Sequence, residues 1–434
     1  MHISFPYPGI APVEIPDANL LGVYEPQKLD SSTDAAGLIA NALDHPIGAP
    51  RIEKLAASGK PVLILSDDGT RGTPVEPMLD ALLPRLTGAG VEERKIEVLI
   101  AKGSHRAMNE AELKLKLGAY AQRLQVHQHD YLDSEEIHDW GKLDDGFPVL
   151  ANRRLRDAGL VIGLGHIGVH RIKGFSGGSK IVFPGCAGYE SAAANHWLGA
   201  QMWAEQLMGV RDNRLRQRID DAARRAGLNY IVNLVLAPAA PGGEAIAGCF
   251  AGDPVEAHRR GCQLAERIYA VELPRRAEIV LVDSHPADRD FWQSAKGIYC
   301  GTMAVRRNGC MILVTSSPEG VAENHPVLLE QGSLPYDEIV RRVENREIRD
   351  VMGAAVMAYT AQALDHADII LVSSGICPAE ARQLGFRPAV SVQTALAMAF
   401  LRQGREAQVA VLRSGGSLLP RIAGEAVGRR PAAA

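Results

Sequence analysis

The sequence predicts an α/β protein of two domains, each with a mainly parallel sheet flanked by helices. Three observations predict it. Short apolar runs rich in β-branched residues recur along the chain, segments of helical periodicity alternate with them, and 434 residues exceed what one core ordinarily organises.

The first series of strand-like runs is PVLILSD at 61–67, KIEVLIA at 95–101, GLVIGLG at 159–165 and YIVNLVLA at 230–237. Helical segments are expected after Pro74 and over Asn213 to Ala226. A long helical pattern from Pro254 to Tyr269 precedes a second series: EIVLVDS at 278–284, CMILVTSS at 310–317, DIILVSSG at 368–375 and QVAVLRSG at 408–415. The break falls at ELPRRAE, where proline and charge mark a linker. It gives an N-terminal domain over 1–272 and a C-terminal domain over 273–434. GRRPAAA at the end reads as a frayed tail. Small polar or charged residues follow the runs: Ser66, Asp67 and Asp68; Lys102 to His105; Gly165 and His166; Asp283 to His285. Ligands of open parallel sheets gather at the carboxyl ends of strands, so the active site is expected in a cleft between the domains.

Composition narrows the partners. A formal net charge of −4 offers no basic face for a nucleic-acid backbone. The start, MHISFPYPGIAPVEIP, has no basic segment leading into an apolar run, and no stretch is apolar enough to span a bilayer. The expectation is a cytoplasmic protein without nucleic-acid or membrane partners. Six cysteines, Cys186, Cys249, Cys262, Cys300, Cys310 and Cys377, lack CxxC spacing and read as core residues rather than a disulfide framework or zinc site.

Four blocks carry chemistry. In SDDGTRGTP, Ser66 to Pro74, a strand leaves through acids and glycines; Thr73 suits a helix N-cap and Pro74 the first helical position, so amides there could hold an anion with Arg71 adding its donor fork. In AKGSHRAMNEAEL, Ala101 to Leu113, His105 sits at a strand tip and Asn109 caps the next helix; a histidine there can serve as acid or base. The third block, GLGHIGVHRIKGFSGGSKIVFPGCAG from Gly163 to Gly188, stacks glycines and serines before Lys180, the composition of a loop whose amides close on phosphate oxygens. It departs from the nucleotide-hydrolase loop, which needs a glycine before its lysine and Ser or Thr after it; Lys180 has Ser179 before and Ile181 after. His166 and His170 would share a helical face, but HIGVH lacks the glutamate of a zinc protease. Downstream, His196 in ESAAANHWLGAQ projects from a helix, as a metal ligand can. In the fourth block, DFWQSAKG, Gln293 and Lys296 share a helical face and offer an amide and a cation to a carboxylate.

DDGTRGTP, GSHR, HRIKGFSGGSKIVFPG, NHW and WQSAKG, in that order and at those separations, resemble the nickel-pincer nucleotide lactate racemase family. GFSGGSK with a histidine ten residues before its lysine and another sixteen after it is the specific part. The resemblance implies a racemase or epimerase that inverts C2 of a 2-hydroxy acid by proton-coupled hydride transfer, through a 2-oxo acid. Its cofactor is a pyridinium mononucleotide with two sulfur-bearing arms that grip nickel. By resemblance, Lys180 is the covalent tether, His196 the protein ligand to nickel, and His105 and His170 the acid/base pair. Asp68, Thr70, Ser176, Gly177, Gly178 and Ser179 are implied to contact the cofactor, and Arg71, Trp292, Gln293 and Lys296 the substrate. Transient contact with cofactor-synthesis enzymes follows from the same likeness.

The chain departs from the family where lactate-acting members carry a second-domain tryptophan. All four tryptophans here, Trp140, Trp197, Trp203 and Trp292, lie at or before 292; Tyr359 is the nearest aromatic, and Trp292 stands where relatives often have tyrosine. Lactate, another small 2-hydroxy acid or a sugar acid remain as substrates. Two other functions fit parts of the sequence: a protein that binds or delivers the pincer cofactor without turnover, and a phosphate-loop transferase. The first needs neither His105 nor His170; the second lacks its metal-binding hydroxyl after Lys180.

Overall fold

The computed structural model describes residues 1–30, 34–56, 60–240 and 243–428; the GRRPAAA segment lies outside them apart from Gly428. The chain divides into two units. Unit A comprises Gln27–Asn195 and Arg211–Ile268, and unit B comprises Met1–Pro26, His196–Val210 and Tyr269–Ala434. The N-terminal residues and residues 196–210 group with the C-terminal segment.

In unit A the main sheet runs in the order Glu244–Gly252, Tyr230–Ala240, Leu160–His166, Val62–Ser66, Ile96–Ile100, Gln125–Gln128, with Leu29–Asp30 pairing off Tyr230–Ala240. Its pairings are parallel except for Glu244–Gly252, an antiparallel partner of the neighbouring strand. The central strand Val62–Ser66 is buried throughout, as an apolar run covered on both faces must be. The helix Val75–Gly88 lays Val75, Met78, Leu79, Leu82, Leu83 and Leu86 on that sheet, the i, i+3, i+4, i+7 spacing of a buried stripe. Burying six such side chains stabilises the packing by about 10 kcal/mol before the entropy of ordering is subtracted. Asn109 caps the helix Glu110–Leu117 through a full capping box with Glu112.

In unit B a second sheet has the order Arg387–Pro388, Ala367–Ser373, Val305–Thr315, Ala277–Asp283, Val409–Leu412, Leu20–Tyr24, all parallel. The helix Phe291–Ala304, capped by Asp290, packs on this sheet. The expected linker lies between two strands, Ala270–Leu273, which pairs with Leu419–Ile422, and Ala277–Asp283.

In both units the charged and hydroxyl residues of the motifs fall at the carboxyl ends of adjacent strands. Unit A places Ser66, Ile100 and His166 at the ends of three neighbouring strands, so the blocks beginning at Asp67, Lys102 and Ile167 emerge side by side.

Candidate active site

Asp67 and Asp68 leave the central strand of unit A in succession, and each carboxylate serves a different histidine. Asp68 Oδ2 lies 2.6 Å from His105 Nδ1. The Thr70 hydroxyl donates to Asp68 Oδ1 at 2.6 Å, and the Arg71 amide donates to the Asp68 carbonyl at 3.1 Å, closing a tight turn around the carboxylate. Burial works against the Asp68 anion, but His105, Arg71 and the Thr70 hydroxyl outweigh it and hold the carboxyl well below its usual range. An ionised Asp68 accepts, so His105 Nδ1 carries the proton and the neutral ring has its lone pair on Nε2. Lys102 Nζ donates to the His105 carbonyl at 3.0 Å and braces the turn that aims this ring.

His170 is set the opposite way. It sits in a short antiparallel ribbon, Val169–His170 against Gly174–Phe175. Its Nδ1 faces the backbone amides of Ile172, at 3.1 Å, and Lys173, at 3.3 Å. Both are donors, so Nδ1 accepts and the neutral ring carries its proton on Nε2. His105 therefore presents a lone pair, and His170 presents an N–H.

Between Gly174 and Ile181 runs the glycine–serine loop that delivers Lys180. Buried partners fix its backbone. The Arg216 guanidinium donates to three of its carbonyls, those of Lys173 at 3.3 Å, Gly177 at 3.2 Å and Phe175. His258 Nε2 donates to the Ser176 carbonyl at 2.9 Å, and Asn233 Oδ1 accepts the Gly178 amide at 2.7 Å. Gly178 holds φ +57, and a methyl there would lie 2.9 Å from the His258 ring, so glycine is needed twice over. Gly163 on the adjacent strand is needed for close approach, since a methyl would sit 2.8 Å from Ile181.

The Ser176 hydroxyl donates to the His166 carbonyl at 3.0 Å and accepts the Gly168 amide at 2.8 Å. The Gly178 amide, one of the backbone donors of the loop, is given to Asn233. The loop is a rigid mount for Lys180.

Lys180 has an altered amine. Burial, then the Arg71 and Arg216 guanidiniums, lower its pKa from the ordinary lysine value to about 7, against the pull of Asp68 and Asp67. Lys173, on the same ribbon, is only 2% exposed and donates to Asn195 Oδ1. Burial and neighbouring cations push its pKa far down as well.

The remaining expected residues belong to unit B. His196 lies on the helix Tyr189–Ala200, and its carbonyl accepts the Tyr359 hydroxyl at 2.9 Å. Gln293 and Lys296 meet as their spacing predicts, with Lys296 Nζ donating to Gln293 Oε1 at 2.8 Å. Trp292 stacks on His325, ring centroids 4.0 Å apart and planes at 11°, while His325 Nδ1 lies 2.7 Å from Asp350 Oδ2.

Residues 9–207 match the family described as the lactate racemase N-terminal domain, and residues 274–419 match the lactate racemase C-terminal domain. The chain belongs to the lactate racemase family. It is 28% identical over 381 residues to the lactate racemase of Lactiplantibacillus plantarum, covering 87% of this chain and 89% of that protein. To the lactate racemase of Thermoanaerobacterium thermosaccharolyticum it is 27% identical over 420 residues, covering 94% and 96%. The solved lactate racemase apoprotein from that organism superposes with a TM-score of 0.86 at 26% identity, over 97% of this chain and all of the other. A Thermotoga maritima protein shares the fold, with a TM-score of 0.71 at 22% identity over 91% of this chain. As a member of this racemase family the chain is an isomerase. No helix among the described residues is long and apolar enough to cross a membrane.

Several residues that shape this candidate site escaped sequence reasoning. Arg216 looked like one of many surface charges on the helix Arg214–Arg225, yet it shares the face of Leu215, Ile219, Ala222 and Ala223 and is 2% exposed; its position on the apolar stripe was the available signal. Thr73 does not cap the following helix, whose cap is Pro74. Its hydroxyl turns back to Asp67 Oδ2 at 2.6 Å and meets His166 Nδ1 at 2.8 Å.

Proposed function

We propose that this protein inverts C2 of a 2-hydroxy acid, lactate or a larger relative of it, with a nickel-pincer nucleotide carried on Lys180. One observation carries the reading: a carboxylate-oriented imidazole, His105 on Asp68, stands in the same unit as a lysine amine brought down to about 7.

The residues fit that cofactor. A lysine must be neutral to acylate, and a Lys180 amine with a pKa near 7 is substantially neutral at physiological pH, unlike an ordinary lysine. An all-protein metal cage needs three or more ligands; among the described residues no group of three His, Cys, Asp or Glu side chains is so placed. A pincer brings its own sulfur and carbon donors and asks the chain for a single imidazole, the part assigned to His196. Asp68, Thr70 and Ser179 would line the cofactor, while Ser176, Gly177 and Gly178 set the loop beneath it. Cofactor-synthesis enzymes would meet the chain transiently to load it.

When bound, the pincer nucleotide supplies a reversible acceptor for the C2 hydride, chemistry that no side chain provides. The chain's residues handle the proton and the carboxylate. His105 Nε2 takes the substrate hydroxyl proton, with Asp68 stabilising the imidazolium that results. His170 meets the carbonyl oxygen of the 2-oxo acid from the opposite side with Nε2–H, and as the acid of the pair it gives up a proton from its imidazolium form, since a neutral ring would be left an anion. Arg71, Lys296 and Gln293 anchor the substrate carboxylate, and Trp292 walls the substrate.

Intact mass spectrometry with nickel analysis after co-expression with cofactor-synthesis enzymes tests the reading. A mass increment on Lys180 with stoichiometric nickel is expected. An unmodified Lys180 without nickel, or full racemisation by His170→Ala, would overturn it.

A further inference from the structure

A third histidine stands in this site that none of the roles above uses. His166 closes the strand Leu160–His166, beside the central strand whose end carries the tandem acids. Its Nδ1 lies 2.8 Å from Thr73 Oγ1, and Thr73 donates its only hydroxyl proton to Asp67 Oδ2 at 2.6 Å. With that proton committed, the His166–Thr73 bond has one direction: Nδ1–H donates. The tautomer of His166 is thereby set, and in the neutral ring Nε2 carries the lone pair.

This relay differs from the Asp68–His105 pair in its charge balance. Asp67 is already matched by Lys116, whose Nζ lies 2.7 Å from Asp67 Oδ1 and also donates to the Arg71 carbonyl at 2.9 Å. Burial opposes the Asp67 anion, but Lys116 and then His166 outweigh it and hold the carboxyl below its usual range. Asp67 reaches His166 through a neutral hydroxyl, with 3.7 Å between Nδ1 and Oδ2. The direct bond of His105 to Asp68 suits a ring that charges during turnover. The screened arrangement at His166 fixes the tautomer that turns Nε2 outward as an acceptor.

The ring also has room in front of it. The His166 side chain is 17% exposed. A methyl added to Gly168 would lie 3.6 Å from Nε2, so the glycine keeps that face bare. Asp67 and Asp68 both act on the Lys180 amine, which places the relay around the same site.

We infer that His166 Nε2 is a substrate subsite that accepts a hydrogen bond from a hydroxyl beyond C2. The substrate class is therefore a 2,3-dihydroxy or longer polyhydroxy acid rather than lactate, whose third carbon is a methyl. This deepens the racemase reading and rests on it. A site built to bond a hydroxyl discriminates against an analogue lacking it, because its acceptor is then left dry and unpaired.

The test uses nickel-loaded holoenzyme and the near-isosteric pair glycerate and 2-hydroxybutyrate, with the four-carbon trihydroxy acid and its 3-deoxy and 4-deoxy analogues as a longer set. Wild type is expected to favour a hydroxylated member by about 10- to 100-fold in kcat/KM. His166→Phe should collapse that ratio towards one, and His166→Gln, which retains an acceptor, should restore part of it. Thr73→Val, which frees the tautomer, should lower the ratio severalfold. Independently of turnover, the hydroxylated acid should move the His166 Nε2 resonance of 15N-histidine-labelled holoenzyme, identified by its loss in His166→Phe, while the deoxy acid should not. Equal kcat/KM within every pair in wild type, or a ratio unmoved by His166→Phe, overturns the subsite while leaving the racemase reading intact. Failure of the holoenzyme to racemise any member overturns both.

Discussion

His105 Nδ1 and Asp68 Oδ2 approach to 2.6 Å on adjacent strand ends, with Thr70 holding the carboxylate's other oxygen. A charge-assisted bond of this length orients the ring and stabilises its protonated form. Asp68→Asn preserves size but removes the charge and one of the two acceptor oxygens, so Thr70 and His105 cannot both be served and kcat should fall by about 10²- to 10⁴-fold, the range of a misplaced general base. Near-UV circular dichroism should be unchanged. An Asp68→Asn enzyme turning over at the wild-type rate would show that His105 needs no orienting partner.

With His105 required neutral as the base and His170 required protonated as the acid, kcat should depend on pH as a bell. Each limb should be lost when the corresponding histidine is replaced. A profile that keeps both limbs in His170→Gln would remove His170 from proton transfer.

The Lys180 amine, with a pKa of about 7, makes stability depend on pH in a defined direction. Below about pH 7 the folded protein bears the full cost of a buried ammonium. Between about pH 7 and pH 10.5 the unfolded chain binds a proton that the folded chain has released, so folding is favoured as pH rises. Lys180→Met in the unloaded protein should therefore raise the melting temperature more at pH 6 than at pH 9. An equal gain at both would mean the amine titrates as an ordinary lysine.

Arg216 is the buried pin of the Lys180 loop. Arg216→Leu leaves the carbonyls of Lys173, Phe175 and Gly177 without their donor and Asp220 without its partner, at a cost of about 3–5 kcal/mol. Arg216→Lys should recover little, because an ammonium cannot reproduce the fork that reaches three carbonyls. Thermal unfolding measures both, and amide exchange over 174–181 should rise ahead of global unfolding.

Trp292 and His325 should prove energetically linked. A stacked imidazole held by Asp350 couples to an indole face by about 1 kcal/mol. The cycle of Trp292→Ala, His325→Ala and the double variant, read in KM, should return that interaction. Strict additivity would mean that the stack does not set the substrate wall.

What could be read from sequence followed the physics of burial. All eight apolar runs are strands, because central parallel strands are apolar on both faces and announce themselves. Glu244–Gly252 was missed because EAIAGCFAG is a mixture of small residues without alternation, and Leu20–Tyr24 because its partner is far away in sequence. For the candidate site, residue types at fixed spacing nominated His105, His170, Lys180 and the Gln293–Lys296 pair. Arg216 and Thr73 were illegible for a common reason. Their local patterns, a charged helix and a pre-proline hydroxyl, have ordinary explanations that only tertiary partners displace. The fate of the Gly178 amide likewise depended on Asn233, 55 positions away.

The edge of the second sheet has a consequence for how the protein is made. Leu20 pairs with Val409, so a strand made early waits for one made hundreds of residues later. Until then its row of amides and carbonyls is unpaired, and closing so long a loop slows the search. A fragment starting near residue 273 would be born with Val409–Leu412 exposed as a raw edge, open to pairing with other chains. The N-terminal 26 residues act as that edge's built-in cover, and a tag or truncation there should affect the solubility of a core hundreds of residues downstream.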